Sequence, residues 1–69
     1  RDLVLSYSVG DYKVIINKTN PGYSYKIKTK IFNKIYQAAE SYSYVNDFKL
    51  CKQRADDQLE ILMNMKSML

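Results

Sequence analysis

Apolar and polar residues alternate around a single glycine near the start of the chain. Leu5, Tyr7 and Val9 precede Gly10-Asp11, and Tyr12, Val14 and Ile16 follow it. A period of two puts all six on one face of an extended chain. Gly10-Asp11 suits a two-residue type II′ turn, whose first central residue needs a positive φ. That turn sets Val9 against Tyr12, Tyr7 against Val14 and Leu5 against Ile16. The other face then carries Val4, Ser6, Ser8, Lys13, Ile15 and Asn17. Turn chemistry and face chemistry agree, and residues 3–18 are predicted to form a β-hairpin.

Thr19-Asn20-Pro21-Gly22 breaks the pattern, with Pro21 and Gly22 fitting the centre of a type II turn. Residues 23–30 admit two readings. As a strand, Tyr23, Tyr25, Ile27 and Ile31 face a core while Ser24, Lys26, Lys28 and Lys30 face water. As a helix, Ile27, Ile31, Ile35, Ala38 and Tyr42 make a stripe. The β-branched and aromatic content favours the strand. Ile31, Phe32, Ile35, Ala38, Ala39 and Tyr42 recur at helical spacing, with Lys34, Gln37 and Glu40 on the polar side. This predicts a helix over 31–42. A second helix is expected over roughly 45–68, with Phe48, Cys51, Ala55, Leu59 and Leu62 as its stripe. Asp47 suits the positive end of its dipole. The expected fold is α+β: an N-terminal antiparallel β-hairpin or three-stranded meander packed on two C-terminal α-helices.

Composition sets the scale. Sixty-nine residues, 46% of them hydrophobic, make one small domain over 1–69 with a real core. The single cysteine, Cys51, allows no internal disulfide, so the chain does not read as a stapled secreted mini-protein. A cytoplasmic setting is expected. No apolar run approaches the roughly 18 residues of a membrane span, and no membrane partner is expected. Opening on Arg1, the chain also reads as a fragment or a processed product.

The positive charge is unevenly spread. Residues 1–34 hold Arg1, Lys13, Lys18, Lys26, Lys28, Lys30 and Lys34 against Asp2 and Asp11, a net of +5. Residues 35–69 hold Lys49, Lys52, Arg54 and Lys66 against Glu40, Asp47, Asp56, Asp57 and Glu60, a net of −1. The whole basic excess therefore lies in the first half.

Residues for catalysis are scarce. There is no histidine, the commonest general base and metal ligand. Cys51 alone cannot build a zinc site, and Gly10 and Gly22 are isolated turn glycines rather than a phosphate loop. Asp56, Asp57 and Glu60 read as a solvated helix face, because adjacent helical residues diverge by about 100°. Neither an enzyme nor a bound metal or cofactor is expected.

Two features point to binding instead. As a strand, Lys26, Lys28 and Lys30 share a face, with Lys13 on the neighbouring strand. As a helix, Lys26, Lys30 and Lys34 line one side. A row of ammonium groups attracts phosphate backbones by counterion release, so Lys13, Lys26, Lys28, Lys30 and Lys34 are the candidate nucleic-acid contacts. The plainer reading is that these lysines solubilise a sheet face or guard an edge strand. No arginine lies in the row, which implies weak sequence selectivity. The second feature is the apolar end of the last helix. Ile61, Met65, Met68 and Leu69 exceed what one packing stripe can cover. They predict a partner surface or a homodimer.

The run Phe32-Asn33-Lys34-Ile35-Tyr36-Gln37-Ala38-Ala39-Glu40-Ser41-Tyr42 resembles the sheet-to-helix segment of the plant ethylene-response-factor domain and of the arm-binding domains of phage integrases. In those domains a Phe precedes a helix with an Ala-Ala pair and then a Tyr. The resemblance implies three strands followed by a helix, with DNA held on the sheet face that here carries the lysines. It spans about eleven residues. The tryptophan and arginines of those sheets are absent, so it supplies no site residues. The leading expectation is a non-enzymatic binding or regulatory module that contacts nucleic-acid phosphates. The alternative is a protein-binding module acting through exposed tyrosines and the Met/Leu-rich helix end, such as a small inhibitor, an antitoxin-like regulator or a piece of a larger structural protein.

Overall fold

The computed structural model describes residues 2–41 and 44–67. Among them lie four strands, β1 (Asp2–Val9), β2 (Tyr12–Lys18), β3 (Tyr23–Ile31) and β4 (Lys34–Glu40), and one helix, α1 (Phe48–Ser67). The strands form one antiparallel sheet in chain order. The class is α+β as expected. The details differ: a fourth strand stands where the first of two helices was expected.

The first hairpin follows its turn chemistry. Gly10 has φ +59 and Asp11 is not at positive φ, which is the type II′ pattern. Val9 pairs with Tyr12, Tyr7 with Val14 and Leu5 with Ile16, the register read from the sequence. Val4 falls at an irregularity between the Leu3–Asn17 and Leu5–Ile16 pairs. Residues 23–30 are strand, and β3 is bonded to a neighbour on each side.

The expected helix over 31–42 does not form. Phe32 and Asn33 both take left-handed backbone, φ 50 and 67, and make a two-residue reversal. Positive φ at both central positions is the type I′ pattern, which matches the twist of a hairpin. The reversal brings Lys34 opposite Ile31, Ile35 opposite Lys30 and Tyr36 opposite Thr29. A bulge then skips Ala38, so that Gln37 faces Lys28 and Ala39 faces Ile27. The bulge leaves Ala38 and Ala39 both half-buried. Two adjacent sheltered alanines look helical in sequence and are a strand irregularity in fact. The likeness to the sheet-to-helix segment goes with the helix, since Phe32 is a turn residue and residues 34–40 are extended. Tyr42 lies outside the described residues.

The remaining helix starts later than expected. Val45 is buried and bridges back to Tyr23 through two backbone hydrogen bonds of 2.7 Å, one donated by each residue. Asp47 then caps α1. Its carboxylate accepts from the Leu50 N–H at 3.3 Å, and its carbonyl accepts from the Cys51 N–H at 2.9 Å. Cys51, Ala55 and Leu59 recur every four residues and are buried against Val14, Ile16, Tyr25 and Ile27 of the two central strands. Phe48 and Leu62 flank that core, and Phe48 meets Tyr23 edge-on at 5.7 Å. The expected stripe is thus the observed one.

Polar ties hold the helix to the sheet. The Tyr7 hydroxyl on β1 donates to the Asp56 carboxylate, whose other oxygen accepts from Lys52 at 3.0 Å. Lys66 near the helix end donates to Asp11 in the first turn at 2.7 Å. Asp57 and Glu60 are exposed as expected, but Asp56 is not a free surface charge. The helix covers one side of the sheet only. The other side has no layer over it among the described residues.

Candidate nucleic-acid interface

The open side of the sheet is built by register. Lys13 lies directly opposite Lys28, with Ser8 beyond it on β1 and Gln37 on β4. The next rung runs Ser6, Ile15, Lys26 and Glu40. Lys30 pairs with Ile35 nearer the Phe32-Asn33 turn. Directly paired residues share a face, and residues two apart along a strand do too. Lys13, Lys26, Lys28 and Lys30 therefore stand together on the uncovered face. A shallow hollow of about 320 Å³ lies between Lys13, Ile15, Lys28, Lys30 and Ile35.

Lys34 does not join them. It pairs with Ile31 at the start of β4, and its register places it on the other face. Lys34 belonged to the row only in the helical reading of residues 26–34.

On its strands, this face carries four lysines against one carboxylate, Glu40. Among the described residues, the ion pairs are Lys52–Asp56 and Lys66–Asp11, and neither uses a lysine of this face. Glu40 stands opposite Lys26 in the ladder but forms no ion pair within 4.0 Å among the described residues. Asp11 sits at the rim of the hollow and is engaged by Lys66. That hydrogen bond and that charge hold the Asp11 carboxyl below its ordinary range. The Lys13–Lys28 pair is a like-charge pair directly across two strands, an arrangement that costs stability.

The expected partner surface is partly present. Ile61 and Met65 are 52% and 58% exposed on α1. Met68 and Leu69 lie outside the described residues. The tyrosines contribute less than expected. Tyr25 is buried, Tyr7, Tyr12 and Tyr23 pack partly against the core, and only Tyr36 and Tyr44 are exposed among the described residues. Lys52, Lys66 and Lys18 cover Tyr7, Tyr12 and Tyr23 at 5.2, 5.9 and 4.6 Å from the ring centres. Burial pushes the Cys51 thiol and the Tyr25 hydroxyl above their ordinary pKa values. At Tyr7, burial and then the bond to Asp56 do the same.

Three exposed apolar residues around the β3–β4 turn escaped the sequence reading: Ile31 and Ile35, expected to face a core, are 49% and 69% exposed, and Phe32 more so. Phe32 was assigned to a helix core and is 95% exposed at the tip of the β3–β4 hairpin. The available signal was Asn33, a residue that tolerates left-handed backbone, placed between the matching pairs Lys30-Ile31 and Lys34-Ile35. No protein-family model, curated protein or solved structure matches the chain.

Proposed function

We propose that this chain is a non-enzymatic binding module that holds nucleic-acid phosphates on its open sheet face through Lys13, Lys26, Lys28 and Lys30. The observation that carries the reading is the clustering of these four ammonium groups on an uncovered face with no ion-pair partner among the described residues. A stability role does not account for a like pair such as Lys13–Lys28, whereas a polyanion would neutralise it. Catalysis is not part of the reading. The sequence has no histidine, the one thiol is buried and discouraged from ionising, and Asp56 is committed to Tyr7 and Lys52. A cytoplasmic setting accords with that unpaired thiol. No described helix is long and apolar enough to cross a membrane.

The test is a titration with short labelled oligonucleotides at low ionic strength. The wild type should bind with little sequence preference. Lys26→Glu, Lys28→Glu and Lys30→Glu together should abolish binding. Absence of binding, or binding unchanged in that variant, would refute the proposal.

A second reading keeps one specific support. Ile61 and Met65 leave more than half of their apolar surface exposed, which suits a protein partner or a second copy of the chain. Sedimentation equilibrium at tens of micromolar separates the cases. A monomer mass unaffected by Ile61→Lys would leave that helix end without a self-association role.

A further inference from the structure

Phe32 combines two local costs with no return inside the fold. Its backbone sits at φ 50, which bulky L-residues rarely adopt. Its ring is 95% exposed, so it packs on almost nothing. A hairpin of this type closes more readily on Asn-Gly or Asp-Gly. Strain of this kind at a residue the fold does not require is a pointer to function. The surroundings say what kind. Lys26, Lys28 and Lys30 advance toward the tip on one face, about 6.6 Å per step. Ile35, paired with Lys30, is 69% exposed beside the same tip. The lysine row thus ends at an aromatic ring held out in solvent.

We propose that Phe32 is a base-stacking residue, and that the ligand of the lysine face is a single-stranded nucleic acid. This rests on the phosphate-binding reading of that face. Phosphates would follow Lys26, Lys28 and Lys30, and an unpaired base beyond them would stack on the Phe32 ring. Inside a duplex each base is covered by its neighbours, and only the two terminal pairs present a free face. A single strand offers one at every nucleotide, and a basic track with stacking aromatics is the usual way such strands are held. Anionic lipid fits less well. Lys30 and Lys34 do flank the apolar tip, but a tip that enters a membrane makes no use of Lys28 and Lys26, which lie about 13 and 20 Å back along the strand.

The test compares an oligothymidylate of about 15 nucleotides with a blunt duplex of the same length by fluorescence anisotropy at low ionic strength. The proteins are wild type, Phe32→Asn, Phe32→Tyr and Lys28→Glu. Asparagine tolerates the left-handed backbone, so Phe32→Asn should fold at least as stably as wild type, read by its thermal midpoint. Wild type should prefer the single strand. Phe32→Asn should weaken single-strand binding roughly 5- to 100-fold and leave duplex binding and the salt dependence unchanged. Phe32→Tyr should keep most of the affinity. Unchanged single-strand binding in Phe32→Asn overturns the stacking role. If Lys28→Glu still loses affinity in that case, the lysine face stands without it. No binding of either oligonucleotide by wild type overturns both readings. Phe32-dependent sedimentation with phosphatidylserine vesicles, with oligonucleotide affinity unaffected by Phe32→Asn, also overturns the stacking role and makes lipid the ligand of the tip.

Discussion

Reversing one lysine of the open face should make the protein more stable while it weakens binding. Lys28 is the position of choice. It faces Lys13 across the β2–β3 ladder, at about 5 Å between Cα atoms, and Lys26 and Lys30 flank it along β3. A like-charge pair directly opposite costs roughly as much as an opposite-charge pair gains, each about 0.2–1 kcal/mol. Lys28→Glu changes the first into the second, and the flanking lysines act in the same direction. Lys13 is exposed, and solvent screening brings the expected gain to about 0.5–1 kcal/mol. For a domain of this size that is about 2–8 °C in Tm. The assay is thermal unfolding by circular dichroism in about 20 mM salt and again near 1 M, where the Debye length falls to about 3 Å. The gain should be present at low salt and absent at high salt. Lys26→Glu, which faces Glu40, should show no such gain. A Tm of Lys28→Glu at or below wild type in low salt would refute the claim that the Lys13–Lys28 pair costs the fold stability.

Other expectations follow from the same structure. A Cβ at position 22 would lie 2.8 Å from the Val45 carbonyl oxygen, on a backbone at φ +84. Gly22→Ala should therefore cost about 2–4 kcal/mol in urea unfolding, whereas Gly10→Ala, also left-handed but with nothing within 4 Å, should cost about 1 kcal/mol. For Asp56, burial opposes ionisation, but the hydrogen bonds from Tyr7 and Lys52 and the Lys52 charge outweigh it and lower the pKa below 3.8. Its contribution is present above that value and lost as pH falls through the depressed one, so Asp56→Asn should flatten the acid limb of a Tm-against-pH profile. Tyr7 and Tyr25 are shifted upward by burial, so the stability they confer is complete below pH 10.0 and declines above it. Cys51 is fully buried and should resist iodoacetamide in the native state, reacting only as urea unfolds the chain.

The parts legible in the sequence are those where one signal dominates. Gly10-Asp11 stands between two runs that alternate apart from Val4 and Ile15, and its turn type fixes the register next to it without help from the rest of the fold. The stripe from Phe48 to Leu62 is likewise unbroken, and it packs as read. The fourth strand was hidden twice over. Its turn uses Phe32 where glycine or asparagine would announce a hairpin, and its bulge at Ala38 interrupts the alternation just where Ala38 and Ala39 imitate a helix. Tertiary pairing with β3 then overrides the helical preference of alanine, glutamine and glutamate. The lysine face was legible because β3 places Lys26, Lys28 and Lys30 two residues apart. The exclusion of Lys34 and the exposure of Phe32 were not, since both depend on that concealed turn. The bond from Tyr7 to Asp56 joins residues 49 apart in the chain, and no local pattern encodes it.

The central claim is that four lysines of one sheet face neutralise phosphates, and the salt dependence of binding counts them. The measurement is the slope of log K against log salt concentration for a single-stranded oligonucleotide. Each phosphate neutralised on a single strand contributes about −0.7 to the slope, so four lysines give about −3. Replacing Lys13, Lys26, Lys28 and Lys30 with glutamine should bring the slope close to zero and remove measurable binding at moderate salt. A wild-type slope near zero, or the same slope in the four-fold variant, would contradict the account.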